Sequence, residues 1–101
     1  MNLFDFSLPK SDTERFDTLL TDSGVTIKRI VSNTLSTPQK FLQDTDEFVV
    51  VLQGCAKIEI DGNIQKLKKG DTLFIPAKTP HTLLKTKKVV VWLAIYIKKG
   101  A

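Results

Sequence analysis

His81 is the only imidazole in the 101-residue chain, and it lies in the stretch GDTLFIPAKTPHTLLK at residues 70–85. A single histidine can bind a ligand, carry a proton as general acid or base, or bond a backbone group in a turn. It cannot build an ordinary zinc, iron or copper centre, because those ions are held by two or more nitrogen or sulfur donors. Cys55, the one cysteine, follows Gly54 with no arginine or histidine close by in sequence, so it reads as a packing residue. Lys85 lies four residues after His81, and on a regular strand two such side chains share a face. That spacing puts an ammonium beside the imidazole, where it would greet an anionic ligand, with Lys78 from the preceding loop at the rim. A bulge in the strand would instead turn Lys85 outward to water.

Composition narrows the class of protein. Hydrophobic residues make up 42% and charged residues 26%, ordinary values for a folded domain, and the length suits one domain. A single cysteine excludes an intrachain disulfide and points to a reducing, cytoplasmic location. The N-terminus MNLFDFSLPKSD lacks the basic and apolar regions of a signal peptide. The apolar run VVVWLAIYI at 89–97 falls well short of the roughly 20 residues of a membrane helix, so no membrane association is expected. The net charge is +4, but lysines 66, 68, 69, 85, 87, 88, 98 and 99 sit at strand ends and turns, and there are only two arginines. Nucleic-acid modules concentrate arginine and aromatics on one surface, so nucleic acid is not an expected partner, and the lysines read as solvated or edge-protecting.

The elements that must position His81 are nearly all strands. Residues 11–20 read as the single helix: Ser11 and Glu14 have capping-box spacing, Phe16, Leu19 and Leu20 form a stripe, and Gly24 offers a stop. From Val25 onward VTIKRIV, FLQ, FVVVL, AKIEI, NIQKL, DTLFI, HTLLK and VVVWLAIYI read as short strands, with Asp61-Gly62 a strong hairpin turn. The expected organisation is residues 1–24 as a segment with a short helix packed on a β-barrel of residues 25–101, one domain overall. Eight short strands without crossover helices make an antiparallel sandwich or barrel. FVVVL and VVVWLAIYI are apolar on both faces, so the outer face needs a cover, and a homodimer is expected to supply it.

The opening stretch resembles the second sequence motif of the cupin superfamily, G-x5-P-x-G-x2-H-x3-N: Gly70, Pro76 and His81 fall in register, while Lys78 replaces the glycine and Lys85 the asparagine. The first motif, H-x-H-x3,4-E-x6-G, survives in part as Glu47 and Gly54. Its histidine positions hold Phe41 and Gln43 with the shorter spacing, or Lys40 and Leu42 with the longer. The resemblance spans about residues 37–97 and looks closest to the small bacterial cupins with a short N-terminal segment and an IPA-x-x-x-H loop. It implies an all-β, double-stranded β-helix (jelly-roll) barrel.

The same resemblance supplies the remaining site candidates, Glu47 and Gln43, beside His81. An imidazole, a carboxylate and an amide oxygen suit a hard divalent ion such as manganese or magnesium better than a transition metal. A mostly metal-free site is therefore expected, with Glu47, His81 and Gln43 the ligands if an ion is held. Asp44 and Asp46 precede Glu47 in a loop and read as solvated. Trp92 and Tyr96 share a face of the last strand as core or dimer contacts. Three functions follow: a cupin binding a small anionic molecule in the barrel mouth, a cupin enzyme of isomerase, decarboxylase or oxygenase type using Glu47 and His81, or a scaffold or regulatory subunit. The first is the reading taken, with Glu47, His81, Gln43, Lys85 and Lys78 as its ligand-binding residues.

Overall fold

The computed structural model describes residues 1–99. Its seven strands are β1 (Thr13–Asp22), β2 (Val25–Asn33), β3 (Gln39–Phe41), β4 (Thr45–Ile60), β5 (Asn63–Lys68), β6 (Thr72–Ile75) and β7 (His81–Lys98). All pairings are antiparallel. β4 and β7 form one long ribbon, paired from Thr45↔Lys98 to Ile60↔His81. One half of the ribbon is flanked by β6 and by β2–β1; the other half is flanked by β5 and β3. The two halves fold over one another as a jelly-roll barrel. Val49, Val51, Trp92 and Ala94 from the first half meet Ala56, Ile58 and Leu83 from the second in the core.

The ribbon can curve because its register is broken at Val51/Gln53, Gln53/Cys55 and Lys57/Ile58. Gly54 sits at the second break with φ +85°, and a Cβ there would lie 2.6 Å from the Val89 carbonyl oxygen. Only a glycine fits so close a backbone crossing. Segments that read as separate strands, FVVVL with AKIEI and HTLLK with VVVWLAIYI, are therefore continuous strands bent at bulges. Asp61 and Gly62 both take positive φ, as a type I′ hairpin requires.

The helix expected at residues 11–20 is not formed; Ser11 and Asp12 lie in a turn and residues 13–20 enter β1. Ser23 and Gly24, φ 44° and 82°, turn a β1–β2 hairpin instead of ending a helix. The capping-box pair is overridden by partners far away in sequence. Glu14 accepts a 2.6 Å hydrogen bond from Ser32 Oγ, and Asp17 binds the buried Arg29 at 2.8 Å. A ten-residue helix has little stability without docking, so these cross-strand contacts decide the matter. Arg29 also donates to the carbonyls of Leu3 and Asp5 at 3.3 and 3.0 Å and lies over the Phe6 ring, which holds the N-terminal segment against the outer face.

Candidate functional site

The barrel mouth gathers residues from six strands and a loop. Glu47 from β4, His81 and Tyr96 from β7, Glu14 from β1, and Phe41 from β3 line a cavity, joined by Gln43 from the loop before β4. The cavity offers about 50 Å³ open to water and leads into a wider vestibule of about 400 Å³. Glu47 and His81 are each 5% exposed. Gln43 Nε2 donates to Glu47 Oε1 at 2.5 Å, and His81 Nε2 lies 3.8 Å from that same oxygen, beyond hydrogen-bond reach.

The tautomer of His81 follows from its other nitrogen. Nδ1 is 2.9 Å from the Thr79 carbonyl oxygen, which can only accept, so Nδ1 carries a hydrogen. In the neutral ring Nε2 then presents a lone pair to the cavity. Phe41 stacks on the imidazole, centroids 5.6 Å apart and planes inclined by 18°, fixing its orientation. An aromatic ring at a motif histidine position thus buttresses the remaining histidine.

Burial governs the acids here. It pushes the Glu47 carboxyl above its ordinary range, against the smaller opposing effects of Gln43, His81, Tyr96 and Lys28. Glu14 is raised for the same reason, with the Ser32 hydrogen bond opposing and the Glu47 charge adding to the rise. The Tyr96 hydroxyl is pushed up by burial and by the neighbouring Glu47. A chain of hydrogen bonds, buried at Trp92 Nε1 to Ser32 Oγ (3.0 Å) and half-buried at Ser32 to Glu14, secures the second carboxyl.

Of the five expected ligand-binding residues, Glu47, His81 and Gln43 come together. Lys85 and Lys78 do not join them. The extra residue Leu84 breaks the β4–β7 register, so His81 and Leu83 point inward while Lys85 emerges on the outer face. Lys78 is exposed with φ 60°, the left-handed conformation that explains why its motif position favours glycine. Its amide donates to the Gln43 carbonyl at 2.7 Å, so it shapes the site through its backbone. Asp46 is likewise structural: it accepts from the Ala77 amide at 2.8 Å and pairs with Lys99.

Two residues of the mouth escape a reading of local signals. Glu14 was masked by its capping-box spacing. Lys28 stands with its Nζ 5.2 Å from the Tyr96 ring centroid and lines the vestibule. The polar alternation Thr26, Lys28, Ser32 along VTIKRIVS was the available sign that one face of β2 borders a wet cavity.

The family model for the cupin domain matches residues 29–96. The chain is a cupin. Among solved structures, a Ralstonia eutropha protein provisionally assigned as a mannose-6-phosphate isomerase superposes on this cupin with TM-score 0.86 at 33% identity, covering 97% of this chain and 96% of that one. An RmlC-like cupin from Shewanella frigidimarina gives 0.78 at 14% identity, over 99% and 94% of the two chains, a likeness of fold alone. An uncharacterized protein of Methanocaldococcus jannaschii is 38% identical over 39 residues, which span 39% of this chain and 31% of that protein.

Many cupins bind metal, so the donor set must be weighed. This cupin offers one imidazole and the Glu47 carboxylate, with Oε1 already engaged by Gln43. Among the described residues no three His, Cys, Asp or Glu side chains are placed to hold an ion together. The residues present do not fit a transition-metal centre of the kind the superfamily's full motif builds. No helix among the described residues is long and apolar enough to cross a membrane.

Proposed function

We propose that this cupin binds a small anionic molecule in the barrel mouth, its polar but uncharged end in the inner cavity and its anionic group in the vestibule at Lys28. The observation that carries this reading is the polarity of the mouth. At the bottom, the Glu47 carboxyl and the Nε2 lone pair of His81 face one another at 3.8 Å. At the rim, Lys28 is the only lysine or arginine lining the vestibule among the described residues. A carbonyl hydrate, with two hydroxyl hydrogens to donate, would satisfy both Oε1 and Nε2, and the pair could then take or give a proton. Lys28 supplies the cation first expected from Lys85 and Lys78.

The inner cavity admits only a few atoms, so a whole hexose phosphate would extend into the vestibule. The Ralstonia relative's provisional assignment as a sugar-phosphate isomerase fits a second reading, proton transfer at a carbon beside a carbonyl by Glu47 and His81. Titration with glycerol 3-phosphate and glyceraldehyde 3-phosphate, followed by NMR shifts, tests the first reading. Lys28→Met should weaken binding about tenfold, the value of one lost charge contact of roughly 1.4 kcal/mol. Affinity unchanged in both Lys28→Met and His81→Asn would refute it.

The outer face of the first half-ribbon carries Phe48, Phe74, Ile95 and Ile97, with Phe48 opposite both Phe74 and Ile95. Phe74 is 52% exposed. A homodimer through this face is part of the proposal, as is a cytoplasmic location, which rests on the single cysteine. Sedimentation of the wild type against Phe74→Lys checks the dimer; a monomer in both would exclude it.

A further inference from the structure

The outer face of the other half-ribbon has a different character. Across β5, β4 and β7 the register places Lys68, Cys55 and Lys87 on one rung and Lys66, Lys57 and Lys85 on the next. Five of six adjacent positions are therefore lysine, all of them exposed. Like charges directly opposed across strands destabilise a sheet. None of the five ammoniums forms an ion pair among the described residues. The five lysines, Cys55 and Asp71 border a trough of about 560 Å³. Among the described residues that line the trough the one carboxylate, Asp71, accepts from the Lys68 backbone amide at 2.8 Å, and Glu59 stands one rung beyond Lys57 on β4.

Protection of a sheet edge accounts for Lys66 and Lys68 on the terminal strand β5, and for Lys85 and Lys87 where β7 pairs with β4 alone, but not for Lys57. Edge lysines belong on the outermost strand, whereas Lys57 lies on β4 with β5 on one side and β7 on the other. The bulge at Leu84 adds to the cluster by turning Lys85 outward into it. We propose that this trough is a second binding site, for a compact oligophosphate such as inorganic triphosphate or the phosphate tail of a nucleotide. Three strands and two rungs span about 10 by 7 Å, enough for a short run of phosphoryl groups and too short to track a nucleic-acid strand. Among the described residues no aromatic side chain lines the trough for a base to stack on. Lysine ammoniums, each with three donors on a flexible stem, can converge on clustered oxygens from several directions.

Calorimetric titration of the full chain with inorganic tripolyphosphate at low ionic strength tests the proposal. Saturable binding is expected, weakened by added salt and by about tenfold or more in Lys57→Gln/Lys85→Gln, and unchanged in Lys10→Gln, an exposed lysine outside both the trough and the mouth. Bound tripolyphosphate should also slow alkylation of Cys55 by iodoacetamide. Equal affinity for ATP would identify a nucleotide tail as an acceptable source. Absence of saturable binding, or indifference to the double substitution in a variant that keeps the wild-type circular dichroism, would overturn it. So would loss of binding in Lys28→Met, which would place the anion in the barrel mouth, or tighter binding of polyglutamate, which would make the partner an acidic peptide.

Discussion

The two halves of the β4–β7 ribbon present opposite solutions to the handling of charge. In the mouth, the buried Glu47 carboxyl and the half-buried Glu14 carboxyl are hydrogen-bonded and pushed toward their neutral forms. On the outer face of the other half, five lysines stand in water with no carboxylate pairing among the described residues. Burial makes each mouth charge costly and therefore selective; exposure makes each outer charge cheap, so that only their number gives a strong field. β4 and β7 contribute to both, Glu47 to the mouth and Lys57, Lys85 and Lys87 to the outer face, because bulges let opposite faces be used over short distances.

The bend is what separates these regions, so it offers the largest effect. Gly54→Ala must place a Cβ 2.6 Å from a backbone oxygen and 2.9 Å from a Val90 methyl, at a φ that L residues avoid. A loss of about 3 kcal/mol or more is expected, a fall in Tm of roughly 12 °C or more for a domain of this size. Thermal unfolding followed by circular dichroism measures it; a Tm within a few degrees of wild type would show that the ribbon can be bent otherwise.

The mouth can be tested through its own cost. A carboxyl whose folded pKa is raised contributes most stability below its unfolded value and loses it as pH rises through the folded one. Wild-type stability should therefore decline from near pH 4.5 toward neutrality on account of Glu47 and Glu14. Glu47→Gln keeps the shape without the charge, so it should raise stability at pH 7 by about 1–2 kcal/mol, with the gain shrinking toward pH 4. Loss of ligand binding in the same variant would mark a residue kept for function at the expense of stability. A variant less stable at pH 7 would show instead that the ionised carboxylate is well compensated. Glu14→Gln should follow the same pH trend with a smaller gain, since Ser32 holds its carboxyl more favourably.

Much of the barrel was legible from alternation and turn residues, and the motif register located Glu47, Gln43 and His81. What escaped depended on contacts between distant residues. The Ser11–Glu14 spacing is a sound local helix signal, yet Glu14 answers to Ser32 and Asp17 to Arg29, partners 18 and 12 residues away. Period-2 spacing linked His81 to Lys85 and left a bulge as the alternative; the bulge at Leu84 decides between them, because it reverses every side chain beyond it. Leu84 carries no turn chemistry that would announce the break. The lysine cluster was invisible for a related reason: in sequence its members are scattered over three strands, and only the register sets them side by side.

The smallest expected effect is the most direct on that cluster. Lys57 has a lysine opposite it on each neighbouring strand, Lys66 and Lys85. Lys57→Glu replaces two repulsions with two attractions at an exposed position. Each exposed pair is worth only a fraction of a kcal/mol, so a stabilisation of about 0.5 kcal/mol is expected at low salt. The Debye length falls from about 30 Å at 0.01 M to about 3 Å at 1 M, so the gain should vanish across that range. Urea midpoints at the two salt concentrations separate the outcomes. A destabilised variant, or a gain indifferent to salt, would mean that the five ammoniums already avoid one another through their long stems, and the field that makes the trough attractive to an oligophosphate would be weaker than the register suggests.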